Sequence, residues 1–96
     1  MNETSFEWDE SKNIQNQFKH GISFEMAQHV FEDRYRVIMN DLGHSIEEKR
    51  YFCFGVFDGE VVTVRFTYRY SKIRIFGAGY WRKGRKIYEK ENNLHR

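Results

Sequence analysis

Apolar residues recur along this chain with two different periods. Phe6 and Trp8 alternate with polar neighbours, which predicts a short strand. Asp9 is placed as the N-cap of a helix over Glu10–His20, with Ile14 and Phe18, four residues apart, as its buried stripe. Gly21 suits the position just past a helix end, and Lys19 and His20 suit the negative end of the helix dipole. Ser23 caps a second helix in which Phe24, Ala27, Val30 and Phe31 fall on one face. Beyond Asp33 the period changes to two. Strands are predicted at Tyr35–Met39, Arg50–Phe57, Glu60–Arg69 and Lys72–Gly79, with a polar loop over Asn40–Glu48 and a closing helix from Trp81 to about Asn93. The order β-α-α-β-β-β-β-α predicts an α+β fold, an antiparallel sheet with helices packed on one face.

The hairpins fix registers. Asp58-Gly59 is a strong signal for a two-residue type I′ turn. It pairs Phe57 with Glu60, Phe54 with Thr63, Phe52 with Arg65 and Arg50 with Thr67. A turn at Tyr70-Ser71 pairs Arg69 with Lys72, Thr67 with Arg74 and Arg65 with Phe76. Because side chains alternate across a sheet, one face carries Cys53, Val62, Val64, Phe66, Tyr68, Ile73 and Ile75, the expected core. The opposite face carries Phe52, Phe54, Val56 and Phe76 at one end, and Arg50, Arg65, Arg69, Lys72 and Arg74 at the other. Like charges set side by side on a sheet oppose folding. Their clustering therefore points to an anion that the face binds, phosphate first.

Charge along the chain sharpens this picture. The 96 residues carry a net charge of only +2. Residues 1–48 hold four basic side chains against ten acidic ones, and residues 49–96 hold twelve against four. Segregation of this kind suggests an electropositive surface with nucleic acid as partner. A 31% charged and 18% aromatic composition fits one globular domain over residues 1–96. No apolar run is long enough to span a bilayer, and the Met-Asn-Glu-Thr start resembles no secretory leader, so a cytoplasmic location and no membrane partner are expected. Cys53 is the single cysteine, which excludes an internal disulfide and reads as a buried small hydrophobe.

Cofactor and metal motifs are missing. Gly77-Ala78-Gly79 lacks the remainder of a dinucleotide-binding loop, and His20, His29, His44 and His95 lack metal-ligand spacing, so no cofactor and no metal are expected. RNA cleavage without a metal needs a base for the 2′-hydroxyl, cations for the phosphorane and an acid for the leaving oxygen. Arg65, Arg69 and Arg74 supply cations on one face, with Arg50 at its edge. His20, Tyr80, Tyr88 and Glu89 are the candidates for proton transfer. Trp8 and Trp81 read as core residues before they read as platforms for bases.

The segment Phe6-x-Trp8-Asp9-x-x-Lys12-Asn13-x-x-Asn16-x-x-Lys19-His20-Gly21-Ile22-Ser23-Phe24-x-x-Ala27-x-x-Val30-Phe31 resembles the BrnT family, toxins of type II toxin–antitoxin systems. Arg50-x-x-x-x-Gly55, Arg74-Ile75 and the basic final helix with Tyr88-Glu89 are similar too. The resemblance implies a RelE-like fold, a ribonuclease that arrests translation, and a cognate BrnA-like ribbon-helix-helix antitoxin. The antitoxin would form a 2:2 complex with the toxin, and the two would repress their operon together, operator DNA being contacted only through the antitoxin. Lys19 and His20 come over as site residues from the helix-end motif. The candidate catalytic set is then Lys19, His20, Arg74 and Tyr80, and the phosphate-binding set Arg50, Arg65, Arg69 and Arg82. After the last strand many relatives carry Ser-Ala-Arg where this chain has Gly77-Ala78-Gly79, so Arg82 or Lys83 would supply the missing cation. Two other readings stay open: a partner of an antitoxin that binds without cleaving, and a general nucleic-acid-binding module.

Overall fold

The structure is a computed structural model that describes residues 4–93, so His95 and the first three residues lie outside it. Its strands are β1 (Ser5–Glu7), β2 (Val37–Asn40), β3 (Tyr51–Phe57), β4 (Glu60–Arg69) and β5 (Lys72–Gly79). Its helices are α1 (Glu10–His20), α2 (Phe24–Ala27) and α3 (Arg82–Glu91), with 3-10 turns at Gln28–Glu32 and Leu42–His44. The caps form as the sequence predicts. Asp9 accepts from the Ser11 and Lys12 amides, Gly21 ends α1 at φ 72°, and Ser23 accepts from Met26 N–H.

The strands form one sheet in the order β1-β5-β4-β3-β2. It is mixed, which corrects the expected antiparallel sheet: β1 runs parallel to β5, with Glu7 opposite Arg74. No hairpin joins these two strands, so packing rather than a local turn sets their direction, and Phe6 anchors β1 against Phe31 at 5.3 Å. The first hairpin keeps its predicted register from Phe57–Glu60 to Phe52–Arg65, and Asp58 and Gly59 both take the positive φ that a type I′ turn demands. The second keeps Arg69–Lys72 and Thr67–Arg74, but Arg65 faces Gly77 instead of Phe76. A bulge absorbs one residue there, so Phe76 and Gly77 together stand opposite Arg65. Arg50 lies just before β3. Thr67 donates from its hydroxyl to Lys49 O at 2.6 Å in place of the expected ladder row with Arg50.

Cys53, Val62, Val64, Phe66, Ile73 and Ile75 form the core with Ile22, Phe24, Ala27 and Val30 from α2 and its flanks. Tyr68, expected there, is half exposed at the end of that face, with its ring against Tyr51 and Phe66.

Two helix placements differ from expectation. On α1, Ile14 and Phe18 are exposed, and the buried positions are Asn13 and Asn16. The helix lies along the edge of β5 beyond β1, where free backbone groups reward an amide more than an apolar side chain. Asn16 donates to Ala78 O at 2.9 Å and accepts from Ala78 N–H at 3.3 Å. Asn13 accepts from Phe24 N–H and donates to Glu25. Helix α3 packs on the outer face, so the helices do not share one side. Its Gly84 sits on the outer-face pair Phe54–Thr63 so closely that a Cβ would collide with Thr63 Oγ1 and the Phe54 ring. No helix among the described residues is long and apolar enough to cross a membrane.

Candidate functional site

The bulge builds a groove on the outer face. By placing Phe76 and Gly77 side by side, it gives the sheet an aromatic platform next to a stretch of bare backbone. Helix α1, held to β5 by Asn16, brings Lys12, Lys19 and His20 to one wall. Arg50 from the approach to β3 and Arg65 from β4 form the opposite wall, and Trp81 closes one end. The groove holds about 290 Å³. The Arg50 guanidinium lies 4.1 Å from the centre of the Phe76 ring, and Lys12 Nζ lies 6.0 Å from it. Such cation–π contacts fix a guanidinium without neutralising it. The His20 ring meets Trp81 edge-on at 5.0 Å.

No carboxylate lines this groove, and among the described residues none of Lys12, Lys19, Arg50 and Arg65 forms an ion pair. Four cations and an exposed imidazole thus face one groove, side-chain types suited to an anion and to proton transfer.

The other predicted residues lie elsewhere or are engaged. Arg69 donates to both oxygens of Glu48 at 2.8 and 2.9 Å, and that hydrogen bond holds the Glu48 carboxyl below the usual carboxylate range. Arg74 pairs with Glu7 at 3.3 Å. Tyr80 is near the β3–β4 turn, where burial first and then Glu60 and Asp58 raise its phenol. Arg82 lies on the surface of α3 beside Lys83 and Lys86. Tyr88 donates to Asp33 at 2.6 Å, and burial together with that carboxylate pushes its phenol far up. Glu89 is on α3, outside the groove. Cys53 is buried, and burial pushes its thiol up to about 12.

The structure therefore brings together Lys19, His20, Arg50 and Arg65 out of the predicted sets. It adds Lys12, Phe76 and Trp81. Two signals point to these additions: Lys12 lies two helical turns before Lys19, and a glycine inside a strand pattern marks a bulge. At Gly77 a Cβ would find its nearest neighbours at 3.9 Å, whereas at Gly79 it would meet the Trp81 ring at 2.7 Å. Trp81 thus occupies the space beside Gly79 and requires glycine there. Among the described residues no three His, Cys, Asp or Glu side chains converge as metal ligands.

No curated protein matches this chain. A family model described as "Ribonuclease toxin, BrnT, of type II toxin-antitoxin system" matches residues 8–84. The matched segment runs from Trp8 to Gly84 and contains every side chain of the groove. The chain belongs to the BrnT family, the ribonuclease toxins of type II toxin–antitoxin systems.

Proposed function

We propose that this toxin cleaves RNA at the basic groove by metal-free transesterification. The 2′-hydroxyl gives up its proton and its oxygen attacks the adjacent phosphorus, the bond to the 5′-oxygen breaks, that oxygen takes up a proton, and a cyclic phosphate is left. Lys19, Arg50 and Arg65 would neutralise the charge that gathers on the phosphorane, and His20 would carry a proton. The observation that supports this reading is the convergence of four unpaired cations and an imidazole on one groove without a carboxylate. The test is purified protein with RNA, with and without EDTA. Cleavage should persist in EDTA, and a 2′-deoxy substrate should stay intact. Loss of activity in EDTA, or full activity in a folded Arg50→Ala/Arg65→Ala double variant, would overturn it. We infer a RelE-like fold as well, supported by a sheet whose outer face carries the basic groove.

A second reading, a toxin relative that binds RNA without cutting it, is supported by Gly77. The groove there presents backbone alone, although there is room for a side chain. RNA bound by the protein and recovered whole would favour it.

Membership in a type II system implies an antitoxin. We propose a BrnA-like ribbon-helix-helix protein whose acidic segment covers the groove, two toxins on each antitoxin dimer, and repression of the operon by the complex on DNA held through the antitoxin. Complementary charge would speed association, so charge removal at the groove should slow association if the contact lies at the rim of the interface, and hasten dissociation if it is buried. Unchanged kinetics in the Arg50→Ala/Arg65→Ala variant would place neutralisation elsewhere.

A further inference from the structure

A second concavity lies on the same outer face, between α3 and the Leu42–His44 turn. It holds about 590 Å³, inside the range of roughly 300–1,000 Å³ common to small-ligand clefts. Its floor is the pair Phe52 and Phe54, with ring centres 5.7 Å apart and planes 23° from parallel. Leu42, exposed to 85%, rises on one side, and Ile87 of α3 on the other. No carboxylate lines it. Arg65 and Trp81 belong to both concavities, so the apolar cleft opens beside the basic groove.

One polar side chain that lines this cleft, His44, is held from behind by a buried carboxylate. Asp41 is 5% exposed, and its carboxylate accepts from His44 Nδ1 at 2.9 Å. Its own N–H donates to Arg50 O at 2.7 Å, and Ser45 Oγ bridges Asp41 O and Arg50 N. The turn carrying His44 is thereby strapped to the backbone of Arg50, a groove cation. In the tautomer whose hydrogen sits on Nδ1, that hydrogen goes to the Asp41 carboxylate and Nε2 is the acceptor turned away from it.

We propose that this cleft receives one unpaired nucleobase of the RNA whose phosphate lies in the basic groove, and that His44, oriented by Asp41, reads an N–H on the edge of that base. The inference rests on the groove's being the RNA site. Bases splayed out of single-stranded RNA bind by stacking on aromatic rings and by hydrogen bonds at their edges, and this cleft offers both. A cationic rim made of Arg65 and Lys83, continuous with the groove, favours a nucleotide over an acidic or apolar peptide. Asp41 acts through His44 and is a positioning residue.

The test is binding of the full chain to a labelled hexanucleotide carrying 2′-O-methyl groups, which cannot cyclise. An abasic sugar is moved through the oligomer one position at a time. One position should weaken binding about tenfold, and the others less than about twofold. Phe52→Ala removes part of the floor and also risks the fold. Leu42→Ser changes only an exposed side chain, whereas His44→Ala also leaves the buried Asp41 carboxylate without its partner, so the Asp41→Asn/His44→Ala pair is measured beside it; each should reduce that abasic penalty while circular dichroism is unchanged. Asp41→Asn should mimic His44→Ala in base preference. An abasic scan that is flat while Arg65→Ala still weakens binding overturns the cleft and leaves the groove standing. No binding by any oligomer overturns both. If Leu42→Ser and His44→Ala weaken the antitoxin complex and not the RNA complex, the cleft serves a protein and the proposal fails.

Discussion

Arg65 and Arg69 leave the same strand on the same face, four residues apart, yet only Arg69 meets a carboxylate, that of Glu48. Arg65→Ala should therefore lower RNA cleavage on the order of 10²-fold. Arg69→Ala should lower it several-fold at most, as measured by initial rates on one substrate. The sequence shows both arginines on the outer face, and alternation is enough for that. It does not show which are neutralised, because Glu7 and Glu48 arrive from a strand and a loop that no local pattern pairs with them. His44 was equally illegible, since its partner Asp41 is buried only by the fold. Tyr70 carries a different lesson. It is fully exposed at φ 59° in the β4–β5 turn, a conformation that costs an L-residue on the order of 1 kcal/mol. Tyr70→Gly should raise stability by roughly 0.5–1 kcal/mol in urea melts. Thr63 Oγ1 is buried under Gly84 without a hydrogen-bond partner among the described residues. Thr63→Val should then be neutral or stabilising, where loss of a satisfied hydroxyl would cost about 1 kcal/mol.

Among the elements, the hairpins were legible because their turns are local: Asp58-Gly59 sets every pair of the first hairpin. The faces of α1 and α3 were not, because each depends on what a distant edge leaves unpaired. Asp33 shows how such an edge is finished. Its carboxylate accepts from Val56 N–H at 2.7 Å, where β3 runs past β2, and from the Tyr88 hydroxyl of α3. Burial opposes the ionised form of Asp33, but the bonds from Tyr88, Val56 and Tyr35 together outweigh it and hold the carboxyl below its ordinary value. A carboxyl so lowered stabilises the fold above its unfolded value of roughly 3.9, and that contribution disappears as pH falls through the folded value. The Tyr88 phenol is raised, so its contribution is whole below roughly pH 10 and disappears as pH rises. Asp33→Asn should cost about 1–3 kcal/mol near neutrality. The gap between it and the parent should narrow toward pH 3 in denaturant titrations.

At the scale of the whole molecule, the division of charge along the chain is not the division of charge in space. Lys12 and Lys19, from the acidic half, join the basic groove, while Glu7 and Glu48, from the same half, neutralise two of its neighbours. One phosphate held by all four unpaired cations predicts a slope of about −0.7 in the logarithm of RNA affinity against the logarithm of salt concentration, and a separate phosphate on each cation sets the upper limit of about −3, following roughly −0.7 per phosphate. A slope near zero would refute phosphate binding at the groove. The paired amide of Asn16 has a further consequence, for solubility. It caps with a side chain the stretch of β5 that the short β1 leaves uncovered, so no foreign strand finds open backbone at Ala78. The other margin, β2, displays Ile38 and Met39 on a strand with one neighbour. Molecules joined margin to margin through β2 form a closed pair and stop there, because growth into a fibre needs two sticky sides and the opposite margin offers only the three-residue β1 beside the capped end of β5. Exchanging Asn16 for leucine would supply the second, and a self-limiting contact would become open-ended polymerisation.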